Sequence, residues 1–293
     1  MFANYSKRLS LFILLVVLPV NFTQVAQAAE EGRIGVMTTI APISEFIEQI
    51  GGERVQVTVM VPLSANEHTY EPTPSQLKEL SRAKLYIAAG SGIEFELVWL
   101  ERFEKLNPLI QIVNVSKNIA RLPSGEHDPD DAHQDPHVWL SVENAKIMVR
   151  QIADALIQAD GAYQEFYKRN SDSYLIQLEN LHQEIKERLL NRRTKDFISA
   201  HSAWRYFAQS YSLNEIAIES EGKEPGASQI LDIIKTAKQE QIKVVFTAPQ
   251  FSKRHAEMIA KEINGRLIEA DPLNKNYIKN LRQFSNDLAE SLS

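Results

Sequence analysis

The sequence predicts an α/β protein of two lobes, each a mostly parallel sheet flanked by helices, joined by one long backbone helix with a cleft between them. Three observations carry this. Short β-rich runs are separated by helical stretches in both halves of the chain, the pattern of a parallel sheet with crossover helices. The alternation stops once, over 162–190, where Phe166, Tyr174, Leu178, Leu181, Ile185 and Leu189 recur at three- or four-residue spacing without proline or internal glycine. At 1.5 Å per residue such a run is about 40 Å of helix, long enough to act as a spine. Finally, 293 residues with 44% hydrophobic and 24% charged side chains suffice for two cores and exclude disordered, collagen-like and polytopic membrane classes.

In order, 33–37 reads as a strand, followed by a helix through Phe46, Ile47 and Ile50 that Gly51 and Gly52 end. Val55, Val57, Val59 and Val61 alternate as a second strand up to Pro62. Thr73 and Pro74 open a helix through Leu77 and Leu80, and 85–89 is a third strand. A helix over 97–106, a strand over 110–115 and a polar, acidic segment over 123–136 precede the helix that Ser141 opens through Ile147, Ile152 and Leu156. After the spine, the pattern predicts strands at 196–200, 244–247 and 266–269, with helices at 204–210, 226–239 and 253–263.

Ahead of these elements, Lys7 and Arg8 precede an apolar run over 11–20, too short to span a bilayer as a mature helix, and Ala26-Gln27-Ala28 follows at the distance of a cleavage site. The expected organisation is a signal peptide over 1–28, an N-terminal lobe over 29–158, a linking helix over 159–192 and a C-terminal lobe over 193–293. The mature protein is expected to be soluble in the periplasm, and with no cysteine in the chain no lipid anchor on cysteine is expected. The same lack excludes disulfides, thiol catalysis and thiolate metal sites. Thirty-two Lys and Arg against 38 Asp and Glu, a net charge of -6, argue against nucleic acid as a partner.

Ligands of open α/β sheets bind beyond the C-terminal ends of strands, so residues at those ends, and at helix starts beside them, carry most weight. His68 follows the second strand in Glu67-His68-Thr69-Tyr70-Glu71-Pro72, and His137 precedes a helix in Asp135-Pro136-His137-Val138-Trp139. His201 follows the strand at 196–200, and Asp271 follows the one at 266–269. Three imidazoles and one carboxylate are the composition of a four-coordinate zinc site, and imidazole suits other late transition metals. The segment 127–135 adds two histidines and four aspartates, either a weak metal collector or a solvated acidic loop. His182 and His255 read as surface residues, and Trp99, Trp139 and Trp204 as core. The chain has no phosphate-binding glycine loop, no Gly-x-Ser-x-Gly elbow and no His-Glu-x-x-His helix.

Five segments, EHTYEPTPSQLKEL from Glu67, DPHVWLS from Asp135, ISAHSAWRYFAQSY from Ile198, EGKEPGASQI from Glu221 and EADPL from Glu269, closely resemble the zinc and manganese substrate-binding proteins of bacterial ABC uptake systems. The resemblance spans the whole mature chain and implies a monomeric, non-enzymatic carrier. Its metal ligands fall on His68, His137, His201 and Asp271, and its partners are an inner-membrane ABC permease and a cytoplasmic ATPase. Relatives that bind manganese tend to carry a carboxylate where this chain has His201, so Zn²⁺ is the expected cargo and Mn²⁺ the alternative. A metal-dependent adhesin and a zinc hydrolase are the remaining readings. Ala248 stands where a glutamate is common in the family, with an effect either on the surroundings of Asp271 or on a pocket wall.

Overall fold

The computed structural model describes residues 32–124, 134–219 and 225–293. The expected leader and most of the acidic-histidine segment lie outside the described residues. Ile34–Ser293 forms one compact unit.

The first sheet contains β1 (Ile34–Thr38), β2 (Val55–Val59), β3 (Leu85–Ala88) and β4 (Gln111–Asn114), all parallel in the order β2-β1-β3-β4. Its crossovers include α1 (Ala41–Gly51), α2 (Pro74–Leu80) and α3 (Glu94–Leu106). The second sheet repeats this topology: β5 (Asp196–His201), β6 (Asn214–Glu219), β7 (Val244–Thr247) and β8 (Arg266–Glu269) run parallel in the order β6-β5-β7-β8. Its helices are α6 (Arg205–Ser210), α7 (Ala227–Gln239), α8 (Arg254–Glu262) and α9 (Tyr277–Ser291); α4 (Val142–Ala159) and the 25-residue α5 (Gln164–Arg188) lie between the sheets in sequence. β6 and α9 go beyond the sequence expectation. Charged Glu215 and Glu219 interrupt the apolar signature of β6, whereas α9 buries Tyr277, Leu281, Phe284 and Leu288 at ordinary helical spacing.

Period-two alternation divides the second lobe's core. Phe197, Val244 and Phe246 face inward against Phe284 of α9, while Ile198 and Val245 join the apolar faces of α7 and α8 on the other side. The inward cluster is continuous with the core of the first lobe through Trp139, Tyr277, Leu178 and Leu181. The floor between the lobes is therefore apolar and closed.

The spine is tied to both lobes. Asn170 Nδ2 donates to Ile50 O at 2.9 Å and Tyr174 Oη to Glu45 at 2.7 Å. Further along α5, Arg188 donates to Ser285 Oγ at 3.1 Å and Glu184 accepts from Arg282 Nε at 2.9 Å. At the reversal of strand order between β1 and β3, where an open sheet offers a crevice, the first lobe fills its own gap. Buried Glu96 accepts from Ala89 N and Gly90 N, both at 2.7 Å, and from Thr39 Oγ1. Gly90 is required there, since its φ is +65° and a Cβ would overlap Asn114.

Candidate metal centre

The loop 60–73 after β2 carries Glu67 and His68, and both ends of it are pinned. Met60 N and Val61 N donate to Thr38 O and Thr39 O at 2.8 and 2.9 Å. At the far end Thr73 caps α2 in a reciprocal box with Gln76, whose Nε2 also reaches back to Met60 O at 2.6 Å. His137 sits just before a short 3₁₀ turn, Val138–Leu140, whose Trp139 is fully buried and donates to Pro272 O at 2.9 Å. His201 ends β5, and the turn after it is held by Glu215, whose Oε1 accepts from Ser199 Oγ at 2.6 Å, Trp204 N at 3.1 Å and Ala203 N at 3.3 Å.

These elements bring Glu67, His68, His137 and His201 together, with one ligand atom from each lying within 4.8 Å of all the others. The imidazole centroids are 5.3–5.9 Å apart. Glu67 Oε1 lies 3.6 Å from His137 Nε2 and 3.8 Å from His68 Nε2. Glu67 is 0% exposed, His137 2% and His201 5%. Both Glu67 oxygens, Nε2 of His68 and His137, and both nitrogens of His201 are buried without a hydrogen-bond partner. One ligand atom from each of the four residues faces the others, and leaving such buried polar atoms unpartnered is costly unless something bonds to them.

The outer nitrogens are partnered where a carboxylate is at hand. His68 Nδ1 meets Glu94 Oε2 at 2.5 Å, and His137 Nδ1 meets Asp135 Oδ1 at 2.8 Å. Each carboxylate accepts from Nδ1 and so turns Nε2 inward, the usual support of a metal-binding histidine. His201 has no such partner and instead lies flat against Phe251, centroids 3.8 Å apart at 14°.

Burial drives the His201 pKa well below that of free histidine, and the neighbouring imidazoles push the same way. Burial also opposes charge on His137, but the flanking carboxylates of Asp135 and Glu67 outweigh it and push the pKa up to about 10. Glu67 is held below the ordinary carboxylate range, since its imidazole neighbours overcome the burial that would raise it.

Of the four residues singled out in the sequence, the structure gathers His68, His137 and His201, while Asp271 lies outside the group. Its Oδ1 accepts from Gln250 Nε2 and from Leu273 N, both at 2.9 Å. Glu67, Asp135, Glu94 and Phe251 are the site residues that sequence reasoning left without a role. Glu67 adjoins one candidate histidine and Asp135 lies two residues before another, but Glu94 arrives from the start of α3 and Phe251 from the loop after β7, with no local signal. Ala248 is buried and lines a small cavity with His201, Ala270 and Pro272, so it forms a pocket wall. His182 is half-buried on α5 beside Tyr211 and belongs to no metal group among the described residues.

A tetrahedral zinc ion with ligand bonds of about 2.0–2.1 Å sets its ligand atoms about 3.3 Å apart. The observed cluster, with its ligand atoms within 4.8 Å of one another, is up to about 1.5 Å wider than that.

The sequence profile of the family described as ZnuA, "Zinc-uptake complex component A periplasmic", matches residues 36–291. The manganese-binding lipoprotein MntA of Halalkalibacterium halodurans is 31% identical over 215 residues, covering 71% of this chain and 69% of its own length. The high-affinity zinc uptake system protein ZnuA of Bacillus subtilis is 28% identical over 268 residues, covering 87% of this chain and 83% of its own. A crystal structure of ZnuA superposes with a TM-score of 0.84 at 35% identity, over 89% of this chain and all of that one (100%). A zinc-bound ZnuA with residues 138–173 of its own numbering deleted gives the same TM-score.

Proposed function

We propose a function from one premise: the chain belongs to the ZnuA family of periplasmic zinc-uptake components. It is the extracytoplasmic solute-binding protein of a metal-uptake ABC transporter, not an enzyme. It captures one divalent ion, zinc by preference, in the cluster between its lobes and hands it to a membrane permease driven by a cytoplasmic ATPase. It acts as a monomer after a leader is cut behind Ala28.

The observation that carries this reading is the set of buried, unpartnered donor atoms on His68, His137, His201 and Glu67. Three imidazole nitrogens and one carboxylate oxygen match zinc better than the oxygen-rich shell manganese prefers. The fourth donor in this proposal is Glu67, in place of the expected Asp271, whose Oδ1 is already engaged. Four protein donors leave no open position for an activated water, so the site suits carriage better than hydrolysis. Manganese remains the second reading because the relative named MntA is described as manganese-binding.

Competition titrations of zinc against manganese, on the metal-free parent and on His201→Glu, test the assignment. The parent should take up one zinc and prefer it, His201→Glu should shift the preference toward manganese, and His137→Ala should lose most of the affinity. Undiminished zinc binding by His137→Ala would sink the site, and a parent preference for manganese would sink the metal.

A further inference from the structure

The dipeptide Gln250-Phe251 follows β7 in the second lobe and crosses to the other side of the candidate centre. Gln250 Nε2 donates to Leu63 O at 2.7 Å and to Asp271 Oδ1 at 2.9 Å. Leu63 stands in the loop 60–73 of the first lobe, the loop that carries Glu67 and His68. One amide group thus fastens the metal-bearing loop of one lobe to a carboxylate of the other. Phe251, next in the chain, stacks on His201 and comes within 6.5 Å of His68, centroid to centroid.

Resting on the reading of the cluster as a metal site, we propose that Gln250 is the latch that sets how fast the metal leaves. The floor of the cleft cannot open easily: Trp139 is bonded to Pro272, Tyr277 Oη to Trp139 O at 2.7 Å, and Tyr206 Oη to Asp135 O at 3.1 Å, all within an apolar core. The loop 60–73 is the freer wall. Between its pinned ends its backbone bonds are to itself, through Ala65 N to Pro62 O and Thr69 N and Tyr70 N to Asn66 O, and its side chains lean on α3 of the same lobe, His68 on Glu94 and Tyr70 on Phe95. When that wall lifts, Glu67 and His68 leave together, while His137 and His201 stay on the floor. Gln250 opposes the lift from the far side.

Gln250 is suited to this task by chemistry as well as position. Leu63 O only accepts, and Asp271 accepts as a carboxylate, so both need a donor, and a side-chain amide supplies two N–H groups on one nitrogen. Turning the amide over would set three oxygens against one another, which fixes its orientation. The Asp271 oxygen that accepts from Gln250 also accepts from Leu273 N, so the carboxylate is itself anchored within the second lobe. Gln250 is a positioning residue and touches no metal in this account.

Two variants of similar bulk separate the latch from a packing role. Gln250→Met removes both hydrogen bonds, and Gln250→Glu replaces the donor with a third acceptor facing Leu63 O and Asp271. Zinc would be loaded one to one on the full chain, then chased with excess chelator in a stopped-flow instrument. Zinc should leave Gln250→Met several-fold to about tenfold faster than the parent, the scale expected for losing the one hydrogen bond, to Leu63 O, that the lift must break. Release from Gln250→Glu should be faster still, with association rates within about twofold of the parent, since most effects of such contacts fall on dissociation. Metal-free melting temperatures should stay within about 2 °C of the parent, because a half-exposed loop contact contributes little to global stability. Variants that release zinc at the parent's rate, or that melt early and lose association and dissociation alike, would overturn the latch while leaving the metal site standing. A parent that took up no zinc in the loading step would overturn the site itself, and the latch with it.

Discussion

Asp135 grips His137 at two points, its Oδ1 accepting both the backbone N and the ring Nδ1 of that residue at 2.8 Å. Asp135 is 2% exposed, so water does not compete for these bonds, and the ring is held in the orientation that presents Nε2 to the cluster. Asp135→Ala should lower zinc affinity by about 10- to 100-fold, the usual effect of removing such an outer carboxylate. Asp135→Asn, which keeps an acceptor for the backbone N, should fall between parent and alanine. Chelator competition on the two variants checks the order.

The same carboxylate bears on pH. Free histidine titrates near 6.5, which leads to the simple expectation that affinity falls between pH 7 and 5. With the His137 pKa pushed up to about 10 by Asp135 and Glu67 against the pull of burial, the metal-free site holds a proton at neutral pH that zinc must displace. Affinity should therefore keep rising between pH 7 and 9, by up to about one decade per pH unit. His201, held neutral by burial, contributes no proton in that window. The sign for the metal-free protein is the reverse. A group whose pKa is higher folded than unfolded stabilises fully below about 6.5 and loses that contribution as pH rises toward about 10. The zinc-induced rise in melting temperature should accordingly grow from pH 6.5 to 9; a constant increment would refute the proton displacement.

The parts of the site legible in the sequence were those that local chemistry marks. His68, His137 and His201 stood at strand or helix ends, and the parallel alternation on either side of a long glycine-free helix placed them near one cleft. Asp271 was marked by the same rule, yet a side chain's partners are tertiary facts. That Gln250 and Leu273 N occupy its Oδ1 could not be read from spacing. Glu67 was hidden in plain view: as an acidic neighbour of a histidine it looks like solvated surface until burial is known. β6 was missed because Glu215 breaks its apolar alternation, although that glutamate is inward and bonded to the turn that follows His201.

Glu215 gives a stability test at some remove from the metal. Burial pushes its carboxyl up to about 7, against the hydrogen bonds from Ser199 and Trp204. A raised carboxyl pKa stabilises fully below its unfolded value near 4.3 and loses that contribution as pH climbs through about 7. Glu215→Gln, which keeps an acceptor for Ser199 and the two backbone N–H groups and carries no charge, should therefore be nearly neutral at pH 4 and stabilising at pH 8.5. Glu215→Ala strands those donors and should destabilise by about 2–4 kcal/mol at either pH. Denaturant unfolding of the metal-free variants reads both.

The spine bears on motion. α5 is fastened to Ile50 and Glu45 on one side and to Ser285 and Arg282 on the other, and the apolar cluster runs unbroken between the lobes. A hinge that swings whole domains would break these contacts, so release should proceed by loop movement with only a small tilt. Small-angle scattering of metal-free and zinc-loaded protein should differ by less than about 1.5 Å in radius of gyration, against roughly 18 Å expected for a chain of this size. A larger change would contradict the rigid frame.

The most direct test of the proposed centre is X-ray absorption at the zinc edge of the loaded protein. Four nitrogen or oxygen neighbours at about 2.0 Å are expected, with outer scattering from three imidazole rings. Asp271→Asn should leave this spectrum as it is, and Glu67→Gln should change the first shell while keeping the three imidazoles. A shell of six oxygens, or outer scattering from fewer than three rings in the parent, would contradict the assignment of His68, His137, His201 and Glu67.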